Sequence, residues 1–424
     1  MKNQKIHDLS QTRLWKPVYG RFDYTIVSQR LDQLAKLDVN ADALRASKDF
    51  IDAAFADYQR RSSPRKYGFV FAIPTRITRA EGCDTSEAQH FLPLVNYVPT
   101  EIAQIFLSEM PPCVLDEYYD ANENIVGAIV FVPLMQDILS DIRPRFRAYL
   151  RVRRIIRLTS KYIHDQLQPD LVGLGATLPK ITRFGADMAA HGLATTTGHG
   201  GTVYLIYKMY KELQEQDYNG ETTGIIGAGS IGASSAALLL DRYKNIKVLI
   251  FDTRPHILRN VVKELNRKYG DRAEAALSNE DVIRSSSIIV SAITSTIKIK
   301  DEWDLRGKII IDDSQPGSFS RDEVEAQGGK VVWVVGRGLD KLYKRKSAFR
   351  YGDNGLHTSS DIWGCEAELA TIWHTKDFSR AIVHPVTPQA ALSVGSLMDQ
   401  VGIDRAEWQN AGVIVDMQNE KHER

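Results

Sequence analysis

Residues 222–240, TTGIIGAGSIGASSAALLL, constrain this chain more than any other stretch. They place three glycines, Gly227, Gly229 and Gly232, in a G-x-G-x-x-G array between an apolar strand and an apolar helix. In that context each glycine has a physical task. Gly227 permits a tight turn, Gly229 lets backbone approach a pyrophosphate, and Gly232 lets helix and strand pack closely. The backbone N–H groups of Ala228, Ser230 and Ile231 then face the phosphates at a helix N-terminus. Asp252 closes the next strand, twenty residues beyond Gly232, where a carboxylate accepts from ribose hydroxyls and favours NADH. Arg254, two residues on, suits a 2′-phosphate and favours NADPH. Thr294 and Ser314, at the ends of two later strands, are counted with the loop as cofactor contacts.

The alternation continues on both sides of the motif. Strands are expected at 223–226, 247–252, 286–293, 308–314 and 330–336, with helices at 230–243 and 256–269. Such order implies an α/β fold with a doubly wound parallel Rossmann sheet. Upstream, the spacing predicts a helix over 41–61, strands over 67–74, 113–119 and 125–133, a helix over 144–167 and a strand over 170–176. This reads as a separate α/β substrate domain. The expected division is a helical extension at 1–68, a substrate domain at 69–218, a dinucleotide domain at 219–356 and a C-terminal helical segment at 357–424. The last is too short for its own core and is expected to complete the substrate domain.

Bulk properties exclude several classes. The 424 residues carry a net charge of +1, 43% apolar and 25% charged residues, as ordinary soluble proteins do. No recognised module accompanies the basic residues, so nucleic-acid binding is not expected. No apolar run is long enough to span a bilayer, and the first residues lack a signal-peptide core. Three separated cysteines, Cys83, Cys113 and Cys365, form no C-x-x-C pair, which fits a reducing cytoplasm. The histidines show no metal-ligand spacing, so no metal site is expected. The sequence sets no oligomeric state.

Cys365 falls early in an expected helix, with Ser360 or Asp361 as its cap. A helix N-terminus favours thiolate, whereas Glu366 and Glu368 oppose it; read alone, the residue is more readily a packed hydrophobe. Four stretches around it carry a resemblance. PPCVLDE leads to a strand pair ending FVPLM; LGATLPKITRFG covers 174–185; TTGHGGTVY covers 196–204; and CEAEL covers 365–369. In this order they resemble the long-chain fatty acyl carrier-protein reductases of cyanobacteria, aldehyde-forming enzymes, over about three quarters of the chain. The resemblance implies a nucleophilic Cys365, an acyl thioester of acyl carrier protein or coenzyme A as substrate, and NADPH or NADH as hydride source. It also makes Gly175, Thr177, Thr197 and Gly198 oxyanion donors. His199, in the glycine-rich loop, is the best candidate for acid–base work, with His357 second. The chain departs from the family in a phosphate loop one residue shorter, in the charged Asp252, and at His199 and Gly201. Two other readings stay open: an NAD-dependent dehydrogenase of a small amino or hydroxy acid with Cys365 structural, and a non-enzymatic NAD(P)-sensing protein.

One further feature is a basic helix, RPRFRAYLRVRRIIRLTSK. Arg147, Arg151, Arg154, Arg157 and Lys161 recur every three or four residues and are expected to share one face. That face suits an acidic acyl carrier protein or peripheral contact with an anionic membrane, and it also suits plain solvent.

Overall fold

A computed structural model describes residues 22–37, 39–60, 64–75, 92–135, 146–216, 218, 220–314, 317–345 and 356–417. The chain divides into two compact units, residues 1–197 with 343–351, and residues 198–342 with 352–424.

The first unit is a mixed sheet with helices. Its helices α1 (Tyr24–Ala35) and α2 (Ala41–Arg60) precede β1 (Phe69–Thr75); α3 (Thr100–Leu107), β2 (Cys113–Tyr119), β3 (Ile125–Met135), α4 (Phe146–Tyr162), β4 (Leu171–Leu174) and β5 (Thr195–Thr196) follow. Asn40 caps α2 by accepting from the Ala43 N–H at 2.9 Å. Ala43, Phe50, Ile51, Ala54 and Phe55 then bury one helical face, as the 3.6-residue period demands. The described part of the 1–68 segment is therefore no appendage: Phe50 meets Phe131 of β3 edge-on, and Tyr58 stacks on Tyr162 of α4. A short strand, Lys344–Arg345, opens the sheet order, followed by β2, β3, β1, β4 and β5. β1 runs parallel to both β3 and β4, while the β2–β3 pair is antiparallel. Fully buried Val70, Ala72, Val130, Val132 and Val172 form the core beside Ile155 and Ile156 of α4.

The second unit holds the doubly wound sheet. It begins with α5 (His199–Glu215) and continues β6 (Thr222–Ile226), α6 (Ser230–Arg242), β7 (Lys247–Phe251), α7 (Pro255–Tyr269), β8 (Ala273–Ala275), α8 (Asn279–Ser285), β9 (Ile288–Ser291), β10 (Ile309–Asp312), α9 (Arg321–Ala326) and β11 (Lys330–Trp333). All six strands are parallel, in the order β11-β10-β9-β6-β7-β8. The order reverses between β6 and β9, the place where such sheets bind ligands. β9, β10 and β11 are buried along their whole length, as parallel strands covered on both faces must be.

The expected strand over 330–336 is split. β11 ends at Trp333, and β12 (Val335–Arg337) turns into a separate small sheet between β13 (Asp361–Trp363) and β14 (Asp404–Arg405). Between the last two lie α10 (Gly364–Thr375) and α11 (Pro388–Gln400). The sequence-based division needs correction here. The boundary falls at 197/198 rather than 218/219, and the C-terminal segment belongs with the dinucleotide sheet. It packs on α5, which the sequence assigned to the substrate domain, and on α6. The reason lies in α5 itself, which buries Val203, Tyr204, Leu205, Ile206 and Met209 and so needs cover on several sides.

Candidate active site

The loop after β6 has the form its glycines require. Gly227 adopts φ +99°, and a Cβ there would lie 2.5 Å from the Ala292 carbonyl oxygen. A Cβ on Gly232 would meet the Gly227 carbonyl oxygen at 1.9 Å, so helix and strand touch backbone to backbone. Gly229 faces open space, with nothing within 4 Å of a Cβ placed on it. Gly229 also caps α6 without any side-chain hydrogen bond, leaving the helix start as a cradle of N–H groups. Ser230 and Ile231, in the first turn of α6, are half-buried.

Asp252 is buried, and its carboxylate is occupied from within the chain. Oδ2 accepts from the Ala228 N–H at 2.9 Å and from Arg254 at 2.8 Å; Oδ1 accepts from the Arg254 N–H and Nε, both at 2.8 Å. Burial pushes its pKa up, but the Arg254 guanidinium and these N–H groups outweigh it and hold the carboxyl below its ordinary range. Asp252 thus braces the phosphate loop and fixes Arg254.

The later strands contribute differently from each other. Thr294 is exposed just past β9. Ser314 is buried and accepts from the Ile293 N–H at 3.3 Å, tying the two loops together. Behind it, buried Asp312 accepts from the Ser314 N–H and from the Ser318 N–H and hydroxyl. Desolvation raises its pKa to about 6 against those hydrogen bonds.

Cys365 is the second residue of α10 and is half-buried. The helix N-cap is Trp363, not Ser360 or Asp361. Asp361 is instead buried in β13, where it accepts from Arg337, Thr358, His357 and Gln409. His357 has a structural place: its N–H donates to Asp361 and Gln409, and its Nδ1 lies 2.9 Å from the Gly412 carbonyl oxygen.

The N-terminal turns of α5 and α10 meet at Cys365. A Cβ on Gly198 would lie 2.3 Å from Cys365 Cβ, one on Gly201 would lie 2.2 Å from the Gly364 carbonyl oxygen, and one on Gly364 would lie 2.6 Å from Thr202 Cα. Three glycines therefore allow two helix starts to touch beside one thiol, and both starts favour negative charge there. Glu368, one turn after Cys365 and fully buried, closes the junction. Its carboxylate accepts from the Gly198 N–H at 3.0 Å and the Gly201 N–H at 2.9 Å. The sequence marked Glu368 only as a charge opposing the thiolate; its i, i+3 spacing from Cys365 was the available signal, but its partners lie about 170 residues away.

His199 begins α5, and its Nδ1 lies 3.2 Å from the Ser230 hydroxyl at the start of α6. Desolvation lowers its pKa to about 4, so it is a neutral imidazole at pH 7. The chain from Gly198 to Ser230 thus links the thiol's surroundings to the phosphate loop.

The four expected oxyanion donors separate into two kinds. The Gly198 N–H is taken by Glu368, and the Gly175 N–H donates to the Ala72 carbonyl at 2.8 Å. By contrast, the buried hydroxyls of Thr177 and Thr197 make no hydrogen bond among the described residues. Thr177 precedes the turn Leu178–Ile181 without capping it.

The basic helix α4 does not present a single stripe. Arg154 is buried, donates to the Ser108 carbonyl at 3.2 Å and lies 3.9 Å from Glu109. Arg151 is half-buried, Arg157 and Lys161 are exposed, and the side chain of Arg147 lies outside the described residues. Packing on both flanks of α4 draws Arg154 inward to the buried Glu109 carboxylate. No helix among the described residues is long and apolar enough to cross a membrane, and no cluster of metal-ligating side chains occurs among them.

No protein-family model and no curated protein matches this chain. Solved structures do align with it. A dipicolinate synthase chain from Bacillus halodurans aligns at 15% identity over 41% of this chain and 61% of its own, with a TM-score of 0.27. The imine reductase from Aspergillus terreus, in complex with NADPH4, aligns at 13% identity over 28% and 41%, TM-score 0.21. Quinate dehydrogenase from Corynebacterium glutamicum, in complex with NAD, aligns at 12% identity over 79% and 98%, TM-score 0.33. The chain thus spans less than two thirds of the first two.

Proposed function

We propose that this chain is a nicotinamide-dependent oxidoreductase that reduces an acyl thioester to an aldehyde through an acyl-Cys365 intermediate. One observation carries the reading. A half-buried thiol sits where two helix N-termini meet, and α5 leads from it through His199 to the first residue of the dinucleotide helix. The open space at Gly229 and the uncapped start of α6 fit a pyrophosphate. When bound, the dinucleotide supplies a hydride.

The protein's own groups do the rest. The Cys365 thiolate attacks the thioester carbonyl, the carrier thiolate leaves and takes a proton, and the acyl group is held on sulfur. Both helix N-termini stabilise the thiolate before attack. The oxyanion that forms needs hydrogen-bond donors. After hydride addition the hemithioacetal collapses, releasing aldehyde and the Cys365 thiol. The proton lost by the Cys365 thiol leaves with the carrier thiol, one proton from solvent completes the collapse, and His199, its pKa lowered to about 4, stays a neutral hydrogen-bonding group rather than the proton's store.

A second reading rests on Glu366 and Glu368, both fully buried within one turn of Cys365. Two carboxylates there work against a thiolate, which favours a dehydrogenase of a small amino or hydroxy acid with Cys365 as packing. Cys365→Ala separates the two. The thioester reading expects loss of turnover by at least about 1,000-fold. It also expects loss of the acyl adduct that mass spectrometry detects after mixing with acyl-coenzyme A or acyl carrier protein without reductant. Retained activity, or an adduct elsewhere, refutes it.

A further inference from the structure

The first unit carries an open cleft of about 410 Å³ lined by Arg153, Arg154, Arg157, Arg183, Asp187 and His191. Of the four arginines, Arg154 turns inward to Ser108 and Glu109, while Arg153 and Arg183 share the one carboxylate of the cleft. That carboxylate is buried, and it organises rather than neutralises the cleft. Asp187 Oδ1 accepts from Arg153 at 2.7 Å and from Arg183 Nε at 3.1 Å, while Arg153 also reaches Oδ2. Burial raises the Asp187 pKa, but the hydrogen bonds from Arg153 and Arg183 prevail and hold the carboxyl below its ordinary range. Arg157, exposed on α4 one turn beyond Arg153, makes no ion pair with any described residue.

The backbone beneath is strained. Arg183, Phe184 and Gly185 have φ of +53°, +57° and +87° in succession. Left-handed backbone at two consecutive side-chain-bearing residues costs about 1–3 kcal/mol each and persists where surrounding contacts impose it. Gly185 is required there, since a Cβ would lie 2.2 Å from Thr195 Oγ1. The turn holds Arg183 where it shares Asp187 with Arg153.

We propose that this cleft binds a phosphomonoester of the kind small nucleotide-type ligands carry, with the 3′-phosphate of coenzyme A as its probe. Planar guanidinium forks fixed by a shared buried carboxylate match phosphate oxygens, and exposed Arg157, without an ion pair among the described residues, adds further charge. The space is concave and of small-molecule size, as nucleotide sites are and protein-docking helix faces are not. Exposed Leu150 gives it an apolar edge. The phosphate chemistry stands independently of the thioester reading.

The test is calorimetric titration of the whole chain with coenzyme A, dephospho-coenzyme A and inorganic pyrophosphate at low salt. The cleft predicts at least fivefold tighter binding of coenzyme A than of its dephospho form. Arg157→Glu, at an exposed position, weakens coenzyme A at least tenfold and leaves the dephospho form unchanged. Arg183→Asn, which tolerates the left-handed region, weakens coenzyme A as well. Gly229→Ala weakens inorganic pyrophosphate but leaves the preference for coenzyme A over its dephospho form, which separates the phosphate loop from the cleft. Equal affinity for the two coenzymes, or indifference to Arg157→Glu, overturns the proposal. So does acyl carrier protein binding through Arg157 while coenzyme A does not bind. Failure of Cys365 to acylate while the 3′-phosphate preference holds refutes the thioester reading alone.

Discussion

The second unit uses a triad of glycines twice, and the two triads have opposite geometry. In the phosphate loop, Gly227 and Gly232 are packed against backbone while Gly229 between them faces nothing within 4 Å. At the helix junction, Gly198, Gly201 and Gly364 are all closed by opposing atoms at 2.2 to 2.6 Å. The first triad makes room for something outside the chain. The second makes room for the chain itself, and so presses two helix starts onto Cys365. Both read as glycine-rich loops before a helix. Only what stands opposite each Cα separates a ligand cradle from a packing joint.

Substitutions that fill these spaces test the contrast. The largest effect is expected from Gly201→Val, whose side chain would strike the Gly364 carbonyl; it should cost at least about 3 kcal/mol in denaturant unfolding. Stability within about 0.5 kcal/mol of the parent would mean the junction is loose. Next, Glu368→Ala strips the Gly198 and Gly201 N–H groups of their acceptor and should cost about 2 kcal/mol, with Glu368→Gln recovering part of it. Equal losses in both variants would assign the effect to packing rather than to the hydrogen bonds.

A smaller effect follows from pH. The folded pKa of His199 is depressed to about 4, so the folded chain binds fewer protons than the unfolded chain below about pH 6.5. Its contribution is present above about pH 6.5 and is lost as pH falls toward 4. His199→Gln should flatten this part of the stability profile, and an unchanged slope would remove His199 from the account. Gly229→Ala should disturb stability least, within about 0.5 kcal/mol, because its Cβ meets nothing. It should nonetheless weaken NADP⁺ or NAD⁺ at least tenfold in direct titration. Unaltered affinity would show that the open space is not the pyrophosphate site.

Local pattern carried the doubly wound sheet nearly whole. The expected helix at 230–243 ends one residue earlier, and the expected strand at 247–252 ends at Phe251. Continuous apolar runs and capped helices are local signals, so they survive in sequence. β8 escaped because Ala273-Glu-Ala has no apolar run; it is an edge strand held by pairing with β7. β12 escaped because Val334 and Val335 continue the run of β11, and only pairing with β13 divides them. In the candidate site the phosphate-loop glycines were legible one by one. The Glu368 clamp, the engagement of Asp252 by Arg254 and the burial of Arg154 were not. Each depends on which partner a charged group meets, and for Glu368 and Arg154 that partner lies tens to hundreds of residues away.

The packing of α5 against α10 and α11 also sets a schedule for the chain as it is made. α5 is complete at Glu215, yet the helices that cover its apolar face end at Thr375 and Gln400. Ribosomes add about 5–20 residues each second, so Val203, Leu205 and Ile206 wait roughly ten to forty seconds for their cover. During that interval the parallel sheet between them is already free to form. The nascent chain therefore carries an uncovered apolar face on α5 until α10 and α11 are made.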